Sequence, residues 1–494
     1  MAIILYIIIM DIFCRDREKE ALQEALDSRR PEFIAVYGRR RIGKTYLVRN
    51  YLHDKGLFFH LTGVAGASMK QQLWNFNEEF SRVFLSGVPQ ECPADWQEAF
   101  GRIQEALETK DHDRRIILFF DELPWLATPR SGFLPALTYL WNRHLANNPV
   151  VLLIVCGSAA SWIINNIINT RGGLHNRLTR RIRLLPFDLR ETAIYLRKKG
   201  ISLDNRQIVD LYMCLGGVPA YLDLATPGKS AAQIIADTCF AREGASLYGE
   251  FDRLFRSLFT SSSNHVKLIE ILASVQSGLT KKELFLRTGI RSNQTREKVL
   301  SELIESGFVS EARTFGHAKR GSLVRLTDNY SLFYLKWKRR IDVSPDRAPA
   351  SVWLTLQNSQ TWKSWSGYAF EGVCWNNGHL IARALGISGI LHSFFTWRHT
   401  PESAGEPGCQ IDLVIDRADR CVNLCEIKYH SARLSLSRDD AIELERKKAL
   451  FKSKTNTTKT LFTTLITVEP AQPNEHLQRA VAQRLTVDDL FRDF

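Results

Sequence analysis

The sequence predicts an α/β multidomain protein: a parallel sheet in its first half, a small helical unit with a β ribbon in its middle, and a second α/β domain at its end. Three observations predict it. At 494 residues the chain is too long for one hydrophobic core to organise. Its first half alternates short apolar runs with longer amphipathic stretches, the pattern of buried parallel strands joined by helices. Near its end, Gln410–Tyr429 reads as two apolar runs around a polar turn, a hairpin with Asp412, Glu426 and Lys428 set among the apolar residues.

Composition narrows the class. The chain is 45% hydrophobic and 24% charged, which excludes wholesale disorder. Its net charge of +13 points to a polyanionic partner, nucleic acid before acidic lipid, although charge by itself does not identify one. Nine scattered cysteines suit a reducing cytoplasm better than a disulfide scaffold. Cys421 and Cys425 lie in a strand pattern without a CxxC pair, so they read as buried apolar residues rather than metal ligands. The opening MAIILYIIIM is too short to span a bilayer and has no basic flank or cleavage site, with Met10 an alternative start. The expectation is a cytoplasmic protein with no membrane partner.

Taken in order, the strand candidates of the first half are FIAVY (33–37), LFFHL (57–61), RIILFF (115–120), VVLLIVC (150–156) and RIRLLPF (181–187). Residues 190–255 read as helical, broken at LGGVPAYL. A small unit follows over 262–330, then a basic connector including KWKRR, then an α/β segment from 362. The expected boundaries are an apolar extension at 1–12, a nucleotide-binding core at 13–189, a helical unit at 190–260, the small unit at 261–330, the connector at 331–361 and the last domain at 362–494.

After the first strand, Gly38, Gly43, Lys44 and Thr45 stand in GxxxxGKT spacing, with an amphipathic stretch following. In such a strand–loop–helix the backbone from Gly38 through Arg39, Arg40, Arg41, Ile42 and Gly43 curls around phosphate, reaching Tyr46 in the first turn. The lysine meets the β and γ phosphates, and the threonine hydroxyl binds Mg²⁺. ATP with Mg²⁺ is the implied ligand. Asp121 ends the buried run RIILFF, where it can hold that Mg²⁺, and Glu122 beside it can orient the attacking water; the bland alternative is a helix-capping acid pair. Ser158, after VVLLIVC, either senses the γ-phosphate or is an ordinary turn serine. In NTRGGLHNRLTRR, Arg177, with Arg180 next, is either an arginine finger, in cis or from a neighbouring subunit of a homo-oligomer, or part of a solvated basic loop.

The middle unit reads as three helices separated at Gly278 and Gly289, then a two-stranded wing, together a winged helix. Its third helix, about 292–306, would carry Arg291, Asn293, Gln294, Arg296 and Lys298 toward a groove, with Lys319 and Arg320 at the wing tip. Contact with DNA and a role purely in packing both remain open.

In the hairpin, a turn centred on Ala418 pairs Asp412 with Leu424 and sets it diagonal to Glu426, near enough for both carboxylates to hold one divalent ion. Lys428 then stands beside that ion, where it can hold a phosphate or orient water, the requirement of metal-assisted phosphodiester cleavage.

Two resemblances follow from these residues. FCRDRE, GRRRIGKT, FFDE, CGS, NRLTRR before LLPF, and LGGVPAYL occur in that order over roughly 13–225 and together resemble the archaeal-type P-loop ATPases, relatives of the AAA+ and STAND groups. The resemblance implies an AAA+-like five-stranded core with a helical lid, whose motif Gly216, Gly217 and Pro219 match. The D-x(13)-E-x-K spacing of Asp412, Glu426 and Lys428 resembles the PD-(D/E)xK, restriction-endonuclease-like fold, and Glu371 in GYAFEGVCW matches that family's further acid on the preceding helix. The proline that names the motif is absent. The metal set implied is Thr45 and Asp121 at one site and Glu371, Asp412 and Glu426 at the other, with Mg²⁺ expected and Mn²⁺ possible at the second. The expectation is an ATPase coupled to a Mg²⁺-dependent DNA endonuclease, in defence or DNA processing. The rival is a nucleotide-switched regulator that binds DNA or protein through an inert nuclease fold.

Overall fold

The five apolar runs of the first half do assemble into one parallel sheet. The computed structural model describes residues 12–109, 114–169, 173–174, 176–240, 246–247, 249–259, 261–275, 278–316, 322–339, 349–401, 408–430 and 432–492. The chain divides into two units, Met1–Leu185 and Pro186–Phe494. In the first, β1 (Glu32–Tyr37), β2 (Leu57–Thr62), β3 (Ile116–Asp121), β4 (Val151–Gly157) and β5 (Arg180–Arg183) lie in the order β2-β3-β4-β1-β5. Every pairing is parallel.

Alternation along each strand explains why the runs are apolar throughout. Phe33 and Ala35 face a core shared with the helices Met69–Phe84, Trp96–Thr109 and Phe133–Arg143. Ile34 and Val36 face the other core, shared with the helices Asp16–Asp27 and Lys44–Leu52. The register brings Tyr37 level with Gly157, and Thr62 level with Asp121, so the loops after β1, β3 and β4 leave the same edge of the sheet. The fifth ladder is shorter than RIRLLPF suggests and stops at Arg183, although the Leu184 amide still donates to Tyr37 O at 2.9 Å.

In the second unit the helix Asn205–Leu215 stops at Gly216, whose φ of 64° suits glycine, and Pro219 opens the next short helix, Pro219–Leu222. Gly217 is fixed by space: a Cβ there would lie 1.8 Å from Phe187 O. The middle segment holds the helices Ser263–Ala273, Lys281–Thr288 and Asn293–Glu305, and an antiparallel sheet of β6 (Leu279–Thr280), β7 (Val309–Ala312) and β8 (Leu323–Leu326) in the order β6-β8-β7. Lys319 and Arg320 lie outside the described residues, as do residues 1–11 of the apolar extension and 340–348 of the connector.

The last sheet is mixed. Its strands β9 (His392–His399), β10 (Cys409–Arg417), β11 (Cys421–Lys428), β12 (Thr460–Thr467) and β13 (Gln483–Thr486) run in the order β13-β12-β11-β10-β9. The β9–β10–β11 pairs are antiparallel and β11–β12–β13 parallel. The outer edge of β9 is met at one residue: Thr396 N donates to Arg313 O at 2.9 Å and Phe315 N to Thr396 O at 3.0 Å. The Phe315 ring meets Phe395 and Phe451, the latter on the helix Arg438–Thr455.

The hairpin register corrects the expected one. Leu413 pairs with Cys425 and Val414 with Leu424, which carries Asp412 to the position across from Glu426 rather than diagonal to it. The turn is Ala418–Asp419–Arg420, centred one residue later than Ala418, because Arg420 takes a left-handed φ of 63° and the Arg417 guanidinium holds Asp419 at 3.0 Å. Against β9 the register of β10 slips between Ile411 and Val414, a bulge that contains Asp412. None of the nine cysteines is paired; Cys425 is buried and Cys421 half-buried. Among the described residues, no helix is long and apolar enough to cross a membrane.

Candidate nucleotide and nuclease sites

The loop after β1 has the backbone freedom that wrapping a phosphate needs. Gly38 adopts φ 147° with a Cβ position 2.3 Å from Leu184 O, and Arg41 and Gly43 take φ 71° and 86°. Ile42 is buried in the core, Arg39 is buried beside it, and Arg40 and Tyr46 are exposed. The Ile42 carbonyl accepts from Arg15 at 3.2 Å, so the FCRDRE segment supports the loop. Lys44 is buried at the helix start, its ammonium donating to Arg39 O at 2.9 Å and Ser158 Oγ at 3.2 Å. Burial lowers its pKa, against the charges of Glu122 and Asp121.

Thr45 Oγ1 donates to Asp121 Oδ2 at 2.7 Å, joining the two groups expected to hold Mg²⁺. Burial alone would raise the Asp121 pKa, but His60, Thr45, Cys156 and the Glu122 amide outweigh it and hold it below the ordinary value. His60 stands 3.8 Å from Asp121 and stacks on Phe119. Glu122 adopts φ 47°, and its carboxylate accepts from Ser158 Oγ at 2.5 Å and Ser158 N at 3.2 Å. Ser158 therefore links the lysine to the glutamate. Arg177 is exposed. Arg180 is committed elsewhere: it pairs with Glu24 at 2.6 Å and sits level with Ile34, two to three residues short of the phosphate edge.

Arg291, expected on the third helix of the middle unit, precedes it, since the helix is capped at Ser292; Arg291, Asn293, Gln294 and Lys298 are all exposed. Arg296 is turned back onto Arg291 O at 3.2 Å and Asn293 Oδ1 at 2.6 Å, over the Phe285 ring.

The second site collects side chains from four elements. Glu371 comes from the helix Gln360–Asn376, Asp412 from the bulge of β10, Glu426 and Lys428 from β11, and Lys447 from the helix Arg438–Thr455. Asp412 Oδ2 accepts from Ile427 N at 2.9 Å. Glu426 is bonded through Oε1 to Lys428 at 2.8 Å and through Oε2 to Lys447 at 2.7 Å. Burial, then the Asp412 charge, pushes the Glu371 carboxyl up to about 8, against Arg325 and Lys428. Burial, then Glu426, pushes Asp412 up to about 6. Lys428 is raised, the pull of Glu426 exceeding the burial that would lower it. The three carboxylates thus feel one another's charge, and an all-oxygen donor set suits a hard divalent cation. As they stand, though, no three His, Cys, Asp or Glu side chains among the described residues are grouped to hold a metal ion.

Sequence reasoning missed Arg15, His60, Lys447 and Arg325 as contributors. Only Arg15 carried a signal, its place in FCRDRE; Lys447 is one cation in a run of them, and nothing in the spacing ties it to Glu426.

Fold and loop geometry define the class of the first site, a P-loop ATPase domain. Residues 13–224 carry an archaeal-type ATPase domain, matching the family described as an ATPase domain predominantly from Archaea. The chain is 25% identical over 325 residues to an uncharacterized protein of Methanocaldococcus jannaschii, covering 65% of this chain and 68% of that one. Among solved structures it is similar to a Walker-type ATPase of Pyrococcus abyssi, with a TM-score of 0.45 and 17% identity over 66% of this chain and 96% of that one. It is also similar to the ORC2 protein of Aeropyrum pernix, with a TM-score of 0.41 and 14% identity over 70% of this chain and 95% of that one.

Proposed function

We propose that the chain binds and hydrolyses ATP and couples that cycle to Mg²⁺-dependent cleavage of DNA, in defence or DNA processing. At the first site Lys44 would neutralise the β and γ phosphates, Thr45 and Asp121 would hold Mg²⁺, Glu122 would orient water, and Ser158 would report the γ-phosphate to it. Arg177 would complete the site of a neighbouring copy. At the second, Asp412, Glu426 and Glu371 would hold Mg²⁺ or Mn²⁺, the ion supplying Lewis-acid stabilisation of the phosphorane, and Lys428 would orient water and the phosphate. The middle unit, read as a winged helix, would offer Arg291 and Lys298 to the DNA backbone.

The observation that carries the nuclease half is the gathering of Glu371, Asp412, Glu426 and Lys428 around one bulged hairpin. Acids at such positions cost stability unless a cation is meant to join them. The test is nicking of supercoiled DNA with ATP and either ion. Wild type should cut, while Asp412→Ala and Lys428→Ala should hydrolyse ATP without cutting. The competing reading, a nucleotide-switched regulator with an inert nuclease fold, draws on the pairing of both Glu426 oxygens with lysine. Wild type that never nicks DNA under these conditions would establish it.

A further inference from the structure

Glu426 is 8% exposed, and each of its oxygens is held by an ammonium group. The two lysines are not equivalent. Lys428 ends β11 with its side chain 45% exposed, so it can leave for solvent at little cost. The Lys447 side chain is only 18% exposed. It projects from a helix anchored one turn later by Phe451, which is fully buried against Trp397 and Phe315. Residues four apart share a helix face, so the anchor that seats Phe451 on the sheet also fixes the Lys447 stem over Glu426.

A divalent ion shared by Asp412 and Glu426 would meet Lys428 on one Glu426 oxygen and Lys447 on the other, and only the second is held in place by its helix. The Lys447 charge also reaches Asp412, favouring its ionised form. A half-buried cation held at that point repels a second one more than a freely solvated surface lysine would.

Resting on the nuclease reading, we propose that Lys447 is a tethered counter-ion in the metal's place, a positioning residue that weakens binding of the ion and is released to the DNA phosphate when the ion enters. The carboxylates are thereby kept neutralised and ordered between encounters, and metal and phosphodiester enter together rather than the metal alone.

The test is titration of the full chain with Mn²⁺ by calorimetry, without nucleotide or DNA, the Asp412→Ala variant giving the background from other sites. Lys447→Met, which keeps the apolar stem, should bind Mn²⁺ about tenfold more tightly than wild type, and Lys447→Arg should return to wild-type affinity. Adding a short duplex should tighten Mn²⁺ binding in wild type and do so several-fold less in Lys447→Met. Should Lys447→Met unfold, Lys447→Gln serves in its place, since it can still donate to Glu426. A folded neutral variant that binds Mn²⁺ no better than wild type overturns the proposal and leaves the nuclease reading intact. Titrations of wild type and both neutral variants that all match the Asp412→Ala background overturn both.

Discussion

Glu371→Gln separates the stability of the second site from its chemistry. In the folded chain the Glu371 carboxyl is pushed up to about 8 from an ordinary 4.5, so the folded state favours its proton. The stability tied to that proton is whole below about pH 4.5 and is lost as pH rises toward 8. The displacement sets a ceiling of about 5 kcal/mol, at about 1.4 kcal/mol per pH unit. Glu371 is only half-buried, and solvent relaxation reduces this to roughly 2–3 kcal/mol. Glutamine resembles the neutral acid and has no proton to lose. The variant should match wild type near pH 5 and, in chelator, exceed it by roughly 2–3 kcal/mol at pH 8.5. Mn²⁺ should return much of that difference to wild type, whose ionised carboxylate it can bind, and little to the variant. Urea unfolding followed by tryptophan fluorescence at pH 5, 7 and 8.5, with chelator and with Mn²⁺, measures all three. Equal stability of the two proteins at pH 8.5 in chelator would refute the assignment of Glu371 to a buried acid cluster.

At the first site, Lys44→Ala should abolish ATP binding, and Glu122→Gln should bind ATP while hydrolysing it at least a hundredfold more slowly, read by nucleotide titration and phosphate release. Wild-type turnover in both would sink the nucleotide assignment. Gly217→Ala places a methyl against Phe187 O and should cost about 3 kcal/mol or more of stability, seen as early melting in calorimetry. If the middle unit holds DNA, affinity should fall steeply with salt, and Arg291→Glu with Lys298→Glu should weaken it about tenfold or more; Arg296→Glu should act mainly on stability, since that side chain is folded back. Binding that ignores both salt and charge reversal would move the DNA contact elsewhere.

The first sheet was legible because buried parallel strands leave continuous apolar runs, and each expected strand lies within a few residues of its run. The phosphate loop was legible because its chemistry forces glycine and lysine into fixed spacing. The hairpin was legible as an element but not in register: Ala418 and Asp419 are equally plausible centres for DRADR, and the left-handed Arg420 that decides between them leaves no mark in composition. Arg180, second to Arg177 as a finger candidate in a stretch that reads equally as a solvated basic loop, lies in β5 and pairs with Glu24. Lys447 was illegible for a different reason. It lies 21 residues beyond Glu426, and only the packing of a helix on a sheet brings the two together.

The strand-like contact that residues 313–315 make along β9 bears on how this chain can be inherited or rebuilt. Cut away at residue 362, the last domain would lose the bridge at Thr396 that interrupts the open edge of β9, and Phe395 would lose its partner Phe315. Such a fragment would satisfy that edge by pairing with its own copies. A recombination event that moved the last domain onto another ATPase would succeed only by taking the middle segment with it. The transferable cassette reaches further still, because Tyr429 donates to Asp210 and His379 pairs with Asp188, so the natural seam for grafting is the division between Leu185 and Pro186 rather than the basic connector.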